Sequence, residues 1–404
     1  MLFLGRGFKY VGRWSGTVQN ANRLVYSIDS ALLYSEEASI PQQKNVKRSS
    51  KMRALTFSLF LGFHLFCLSL AAMCGSVASA QYSVKQHDDR VDILYGDSLV
   101  TSYRFLSGSK PVLWPIIGPD QQKMTRSYPL DPSVEGEAHD HPHHRGLWMT
   151  FGDIDGGDWW GEGPGRGLVV HRRVAEATAD GKSARITADH QWVKPRGEGE
   201  EPLPFLKETC CYTFTRDPGT GDPSTGDPSE RIIDCEYLWS IDGPHEKVTF
   251  GDTKEGMFAI RVPETMRGDR PGGELLNSEG DRGGDVWGKS AKWVDYSGPT
   301  VADGKDLYGI AILVHPESFR AAGLWHARTY GLFAHNAFGI KDFLPNRTKT
   351  ESGQREASHT GGYVLKAGET LRFKYRVVLH RGRWGIESGN DHWNQFAQTQ
   401  MALR

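Results

Sequence analysis

The sequence predicts a mainly β protein whose folded part is one large antiparallel β-sandwich over residues 81–404. Three observations lead there. From Tyr82 onward the apolar residues come in short alternating runs, among them Val91–Leu94, Ser183–Ala188, Lys247–Gly251, Tyr308–His315 and Leu371–His380, which is the period of a half-buried strand. Asp-Gly, Gly-Gly and Pro turns punctuate these runs, and the chain holds 47 glycines to supply them. No stretch carries an amphipathic helix of three turns; only Asp391–Leu403, at the end, has the pattern of a short one. No repeat of propeller-blade length is present, which leaves a sandwich.

Residues 1–80 read differently. The apolar run Ala54–Ala72 follows Lys47, Arg48, Lys51 and Arg53 and leads into Ala78-Ser79-Ala80, the small-residue pattern that a signal peptidase cuts. Residues 52–80 therefore read as a signal peptide starting at Met52 and cleaved before Gln81, and residues 1–51 as an over-extended, unstructured start. An uncleaved anchor is the alternative, because the run is near the length of a membrane span, although Thr56, Ser58, Gly62, His64 and Ser69 dilute it. The expected location is the periplasm or the cell surface. The formal charge of -1 hides an asymmetry: residues 1–80 hold nine Lys/Arg and three Asp/Glu, which leaves a net of −7 for residues 81–404. That balance argues against nucleic acid as a partner. Residues 81–404 also lack a run of 18 apolar residues, so no stable membrane insertion is expected after cleavage.

Export affects how the cysteines are read, since Cys210, Cys211 and Cys235 would lie where disulfides persist. The runs Glu208–Phe214 and Arg231–Ile241 predict a hairpin, in which the adjacent pair points to opposite faces and only one of the two could reach Cys235. Buried free thiols acting as small hydrophobes are the equal alternative. Between the two runs, residues 217–228 repeat an Asp-Pro-x-Thr-Gly unit and read as a solvated loop.

The densest chemical segment is His-Asp-His-Pro-His-His-Arg-Gly-Leu-Trp at 139–148, with four histidines in six positions. In an extended backbone His139, His141 and His143 share a face and His144 turns the other way. His141 and His143 could start a site for a divalent metal ion, the one candidate cofactor, with Glu255, His315, His326 and His335 as reserve ligands that the spacing does not choose among. The same imidazoles could instead give and take protons beside Arg145, or rest hydrogen-bonded in a loop under Trp148. Residues 152–161 alternate Asp153, Asp155 and Asp158 with glycine; the later ligands of a calcium loop are missing, so a glycine turn is the reading. Trp148, Trp159, Trp160, Trp287, Trp293 and Trp325 sit in polar, glycine-rich stretches and could present flat faces to sugar rings, with core packing accounting for at least half. Lys254 and Glu255 fall at a strand-turn-strand junction, as a base or a substrate clamp or as a surface ion pair. In the run 323–336, His326, Arg328 and Tyr330 share one strand face, a candidate wall of a site, and Trp325 and Ala327 the other. No nucleophile elbow, phosphate loop or dinucleotide fingerprint is present.

The segment 139–148, with Gly-Asp-Thr-Lys-Glu-Gly-Met-Phe-Ala-Ile-Arg at 251–261, Trp-Gly-Lys-Ser-Ala-Lys-Trp-Val-Asp-Tyr at 287–296 and Trp-His-Ala-Arg-Thr-Tyr-Gly-Leu-Phe at 325–333, resembles the bacterial PmoA-like family. The family label invites a methane-oxygenase reading, which the polar composition of residues 81–404 opposes. The resemblance implies a galactose-mutarotase-like supersandwich, a fold of sugar epimerases, polysaccharide lyases and glycosidase domains, which pair a histidine with a carboxylate across a cleft of Trp and Arg.

The expected function is that of an exported carbohydrate-active enzyme using His/carboxylate acid–base chemistry on a sugar or oligosaccharide, as epimerase, lyase or hydrolase. In it His144 or His326 is the acid and Glu255 the base; Arg145, Lys254 and Arg328 bind hydroxyls or a carboxylate, and Trp159 stacks on a ring. A non-catalytic glycan-binding protein and a metal-dependent oxygenase are the alternatives.

Overall fold

The computed structural model describes residues 81–403 except 195, 197–199, 217–229, 303 and 344–360. The readings of residues 1–51 and 52–80 and of the 217–228 loop lie outside the described residues.

Residues 82–116 form four strands, β1 (Tyr82–Gln86), β2 (Arg90–Tyr95), β3 (Ser98–Arg104) and β4 (Val112–Ile116), and β5 (Leu147–Phe151) returns beside β4 after an excursion over 117–146. Long strands follow: β6 (Leu168–Ala179), β7 (Ala184–Lys194), β8 (Leu203–Arg216) and β9 (Glu230–Ile241). Next come β10 (Lys247–Phe250), β11 (Gly256–Arg261), β12 (Glu274–Asn277), β13 (Trp293–Pro299) and β14 (Leu307–Val314). The last elements are β15 (Leu324–Ala327), β16 (Leu332–Asn336), β17 (Tyr363–Lys366), β18 (Thr370–Arg381) and the helix α1 (Ile386–Phe396). Two eight-stranded antiparallel sheets result, in the orders β1-β2-β3-β4-β5-β11-β16-β15 and β12-β13-β14-β18-β9-β8-β7-β6, with β10 and β17 paired separately.

Alternation makes these strands and also stacks them. In β7 the inward set Ala184, Ile186, Ala188, His190 and Trp192 is buried and the residues between are half-buried. Phe258 of β11 lies flat on Tyr375 of β18 with ring centroids 4.2 Å apart, and Tyr103 of β3 meets Tyr212 of β8 at 5.8 Å, so the sheets face one another across a shared core. Each large side chain buried there contributes roughly 1.5–3 kcal/mol before the entropy of ordering it.

The predicted hairpin is β8 and β9, and its register settles the cysteines. Cys210 lies opposite Tyr237, and Cys235 opposite Tyr212. No two of the thiols meet as partners, and all three are free and buried. Burial pushes the Cys210 and Cys235 thiols well above the usual thiol range, so they behave as small hydrophobes.

The helix differs from its prediction, starting at Ile386 rather than Asp391 and ending at Phe396. Gly389, a poor helix former, obscures the start in the sequence. Packing requires it: a Cβ there would come within 2.3 Å of the Trp293 ring. With Trp384 and Phe396 the helix closes a small cluster on the outer face of the second sheet, over Leu276, Trp293, Leu313 and Val378. The outer face of the first sheet carries its own cluster of Val112, Trp114, Trp148, Trp160, Ala259, Leu332 and Ala334. Among the described residues, no helix is long and apolar enough to cross a membrane.

Candidate functional site

The motifs singled out in the sequence meet on that outer face of the first sheet. Pairing across β5, β11, β16 and β15 puts Trp148 opposite Ala259, Ala259 opposite Ala334 and Ala334 opposite His326, a single row of outward residues. The two alanines leave a trough between Trp148 and His326, and Trp160, carried in by the 152–167 excursion, fills it, buried like its neighbours, with ring centroids 5.2 Å from Trp148 and 6.2 Å from His326.

Around the trough the side chains close a circuit. Tyr330 stacks on His141 at 5.4 Å, His141 on His144 at 4.8 Å and His144 on Trp148 at 5.5 Å. On the far side His326 meets Trp287 at 5.0 Å, and the Arg328 guanidinium lies over Trp287 at 4.7 Å and over Tyr330 at 5.3 Å. His143 joins from above, 4.4 Å from His144.

His144 therefore does not turn away from His141 and His143. The segment is not extended: the amide of His144 donates to the carbonyl of His141 at 2.9 Å, a turn with Pro142 at its second position. His139 leaves the group and stacks on Tyr128 at 4.4 Å.

Hydrogen bonds assign the two buried imidazoles opposite tautomers. Arg261 can only donate, and its Nη1 lies 3.3 Å from Nδ1 of His144, so that nitrogen accepts and Nε2 carries the proton. His326 Nδ1 lies 2.9 Å from the carbonyl of Lys254, so it donates and leaves a lone pair on Nε2. Both residues are almost fully buried, at 1% and 2% exposure. Burial, aided by the charges of His143 and Arg261, holds His144 well below the usual imidazole range. Burial first and then the charge of Arg328 take His326 down to about 3. His143 is lowered to about 4 by burial and the nearby Lys110.

The cations around the site share their carboxylates. Arg126 and Arg261, both with no exposed side-chain surface, meet at Asp140 at 2.5 and 3.2 Å. Burial raises the Asp140 pKa, but Arg261 and the hydrogen bonds from His141 and Arg126 outweigh it and bring the carboxyl to about 2. Lys110 and Arg145 meet at Glu162 at 2.9 and 2.6 Å. Lys254 pairs with Glu255 at 3.0 Å, and the other oxygen of Glu255 is 4.0 Å from Nδ1 of His326.

Several expectations need correction. Trp159 lies away from the face where the motifs meet: it packs on Trp192 and Phe205 in the main core and donates to the carbonyl of Val193, while Trp160, equally buried, lies on the side of the trough. Of the six tryptophans singled out, Trp148, Trp159, Trp160, Trp293 and Trp325 are buried, and Trp287 is half-buried. Arg145 is a strut whose N–H groups are taken by Glu162, Pro142 and Ser107. His144 and His326, expected as the acid, are both held below the usual imidazole range by burial. Lys254, Glu255 and Arg328 lie at the site. Arg126, Lys110 and Glu162 were missed; each stands in a turn-like stretch without local pattern, and only Arg261, at the end of the 251–261 segment, lay inside a quoted motif.

His141 and His143 gather no third ligand among the described residues, and His141 Nδ1 faces Asp140 at 2.8 Å. The group that could hold a metal ion lies in the core instead, where His190, Glu208 and Cys210 bring ligand atoms within 4.8 Å of one another. Imidazole, carboxylate and thiolate suit a zinc-like ion. The donor atoms fit it poorly. Glu208 takes His190 Nδ1 at 2.6 Å on one oxygen and the indole N–H groups of Trp192 and Trp239 on the other, His190 Nε2 faces the Tyr103 hydroxyl at 2.5 Å, and the Cys210 thiol holds its proton.

A family model described as a family of unknown function, DUF6807, matches residues 90–394; it does not show the PmoA-like label. No curated protein matches the chain. Among solved structures the chain is similar to a polysaccharide lyase at 12% identity and a TM-score of 0.29, over 78% of this chain and 34% of that one. It is also similar to a protein titled a kojibiose phosphorylase from human microbiome, at 6% identity and a TM-score of 0.28, over 80% and 34%. The chain spans about a third of the length of these two structures.

Proposed function

The chain belongs to DUF6807, a family of unknown function, and for it we propose an exported enzyme that binds a sugar or oligosaccharide on the outer face of the first sheet and moves a proton on it. Export rests on the apolar run Ala54–Ala72 and on Ala78-Ser79-Ala80. One observation carries the chemistry: two buried neutral imidazoles flank Trp160, with His144 presenting an N–H and His326 a lone pair. The half-buried rings of Trp287 and Tyr330 suit the apolar side of a pyranose, and the polar groups beside them suit its hydroxyls.

In this reading His326 Nε2 takes a proton from the bound sugar, and Glu255 steadies the imidazolium as it forms. His144 donates a hydrogen bond from Nε2 to the oxygen on which negative charge develops, which a neutral imidazole does well. Delivery of that proton to a leaving oxygen gives an elimination product, whereas an epimer needs a different proton, delivered to the opposite face by a second donor such as the Nε2–H of His144.

The test incubates the purified protein with a panel of neutral and acidic sugars in deuterium oxide, followed by proton NMR. Wild type is expected to exchange a C–H of one member or convert it, and His326→Gln to be slower by about 10²–10⁴-fold. Equal rates in the two would remove His326 from the chemistry. Tight binding with no exchange or product from any member would favour a non-catalytic glycan-binding protein.

A further inference from the structure

The charge of this site runs against the charge of the chain. Residues 81–404 carry a net of −7. Yet six cations, Lys110, Arg126, Arg145, Lys254, Arg261 and Arg328, surround the trough, and among the described residues their ion-pair partners are three carboxylates, Asp140, Glu162 and Glu255. The histidines between them are neutral and compensate nothing. Two of the three carboxylates each serve two cations, and Arg328 has no carboxylate or other hydrogen-bond acceptor among the described residues.

Of the buried donors without a partner, the indoles lie at the same place. Among the described residues, the buried indole N–H groups lacking a partner are those of Trp148, Trp160 and Trp287, all on the trough. The indoles of Trp114, Trp159, Trp192, Trp239, Trp293 and Trp325 each donate to a carbonyl or carboxylate. Buried donors are normally paired, so three together without a protein acceptor leave room for oxygen atoms from outside the chain, of a ligand or of water. Excess positive charge in a low-dielectric cleft calls for the same oxygens to be negative.

We propose that the ligand is an acidic sugar, a pyranose bearing a carboxylate, and that Arg328 is the residue that binds the carboxylate. Its guanidinium carbon lies 4.7 Å from the Trp287 ring centroid and 5.3 Å from that of Tyr330. Its N–H groups have no acceptor among the described residues, and the parallel pair on one edge of a guanidinium matches the two oxygens of one carboxylate. Trp287 also touches His326, so a carboxylate on that edge lies on the proton-accepting side of the site, and charge on the ring carbon next to it is delocalised into the group that Arg328 holds.

The inference rests on the reading of this cleft as a sugar site, and the experiment separates the two. Calorimetric titration of the full chain uses trisaccharides of galacturonate, glucuronate and mannuronate, each beside its methyl ester, with a neutral hexose trisaccharide and a sulfated one. The expected result is that one acid binds at least tenfold more tightly than its ester, and that Arg328→Gln removes the gap while Arg328→Lys keeps part of it. Equal binding of acid and ester overturns the inference and leaves the sugar reading standing, as does preference for the sulfated or the neutral member. Binding of no member overturns both. Unfolding midpoints of the two variants within a few degrees of wild type confirm that the loss lies in the site.

Discussion

Arg261 holds His144 by its Nδ1: the guanidinium, wholly buried and shared with Asp140, approaches that nitrogen to 3.3 Å and can only donate to it. The proton of His144 is thereby fixed on Nε2, on the side of the trough. His326 is fixed the other way by a backbone carbonyl. The two rings are thus held in opposite tautomers, each by one hydrogen bond at Nδ1.

The tautomers are directly measurable. Nitrogen-15 NMR of the imidazoles is expected to show His144 protonated at Nε2 and His326 at Nδ1 in the native protein. In Arg261→Gln, His144 should populate both forms and turnover of any substrate should fall by about 10²-fold. A single unchanged tautomer in the variant would show that Arg261 is not what sets it.

Acid should weaken the fold before its carboxylates titrate. His326 and His143 have folded pKa values near 3 and 4, and His144 is also lowered, all below the unfolded value near 6.5. A depressed histidine leaves the native state binding fewer protons than the unfolded chain, so its stabilisation is complete above about pH 6.5 and declines as the pH falls toward the folded value. The loss is up to about 1.4 kcal/mol per pH unit for each fully buried ring, less for the partly exposed His143. Asp140, lowered to about 2, is also a depressed group, but its contribution is lost only below about pH 4. Urea midpoints at pH 8, 6.5 and 5 should hold over the first interval and drop over the second; a flat profile to pH 5 would contradict neutral burial of these rings.

The adjacent tryptophans should separate stability from binding. Trp159→Phe loses the bond to the Val193 carbonyl and leaves a void in the core, a cost of about 2 kcal/mol or more. Trp160→Phe leaves a void in the outer cluster but breaks no hydrogen bond, so it should cost about 1 kcal/mol less than Trp159→Phe while ligand affinity falls. Denaturant unfolding and ligand titration of both variants check this, and a greater loss of binding in Trp159→Phe would reinstate the residue that the sequence favoured.

The network of His190, Glu208 and Cys210 should stand without metal. A strong chelator is expected to leave the melting temperature unchanged, whereas Glu208→Gln should cost about 2–4 kcal/mol, because two indoles and an imidazole lose a charged acceptor. A fall of several degrees in chelator would place an ion on these three side chains.

The β-sandwich was legible because strands announce themselves by alternation, and the β8–β9 hairpin because both of its runs are long. The site was legible as a set of motifs but not as an arrangement. His144 was assigned to the wrong face because alternation fails in the turn at Pro142. Trp159 and Trp160 are indistinguishable in composition, and only the sheet decides which one looks inward. Arg126 has no periodic context, and it reaches Asp140 from the far end of an irregular excursion. His190 and Glu208 are direct partners across β7 and β8, a register that depends on a connection the sequence does not dimension.

Ala259 and Ala334 are the least conspicuous residues of the trough, and they set its depth. Each stands in register between Trp148 and His326, so a methyl group is all that separates the sheet from Trp160 there. A valine at either position would lift that indole by about the height of its added carbons and tilt the one surface that both imidazoles share. The height of Trp160 above the sheet is therefore governed by the smallness of two side chains that carry no chemistry, and resizing them is the simplest way to raise or lower it.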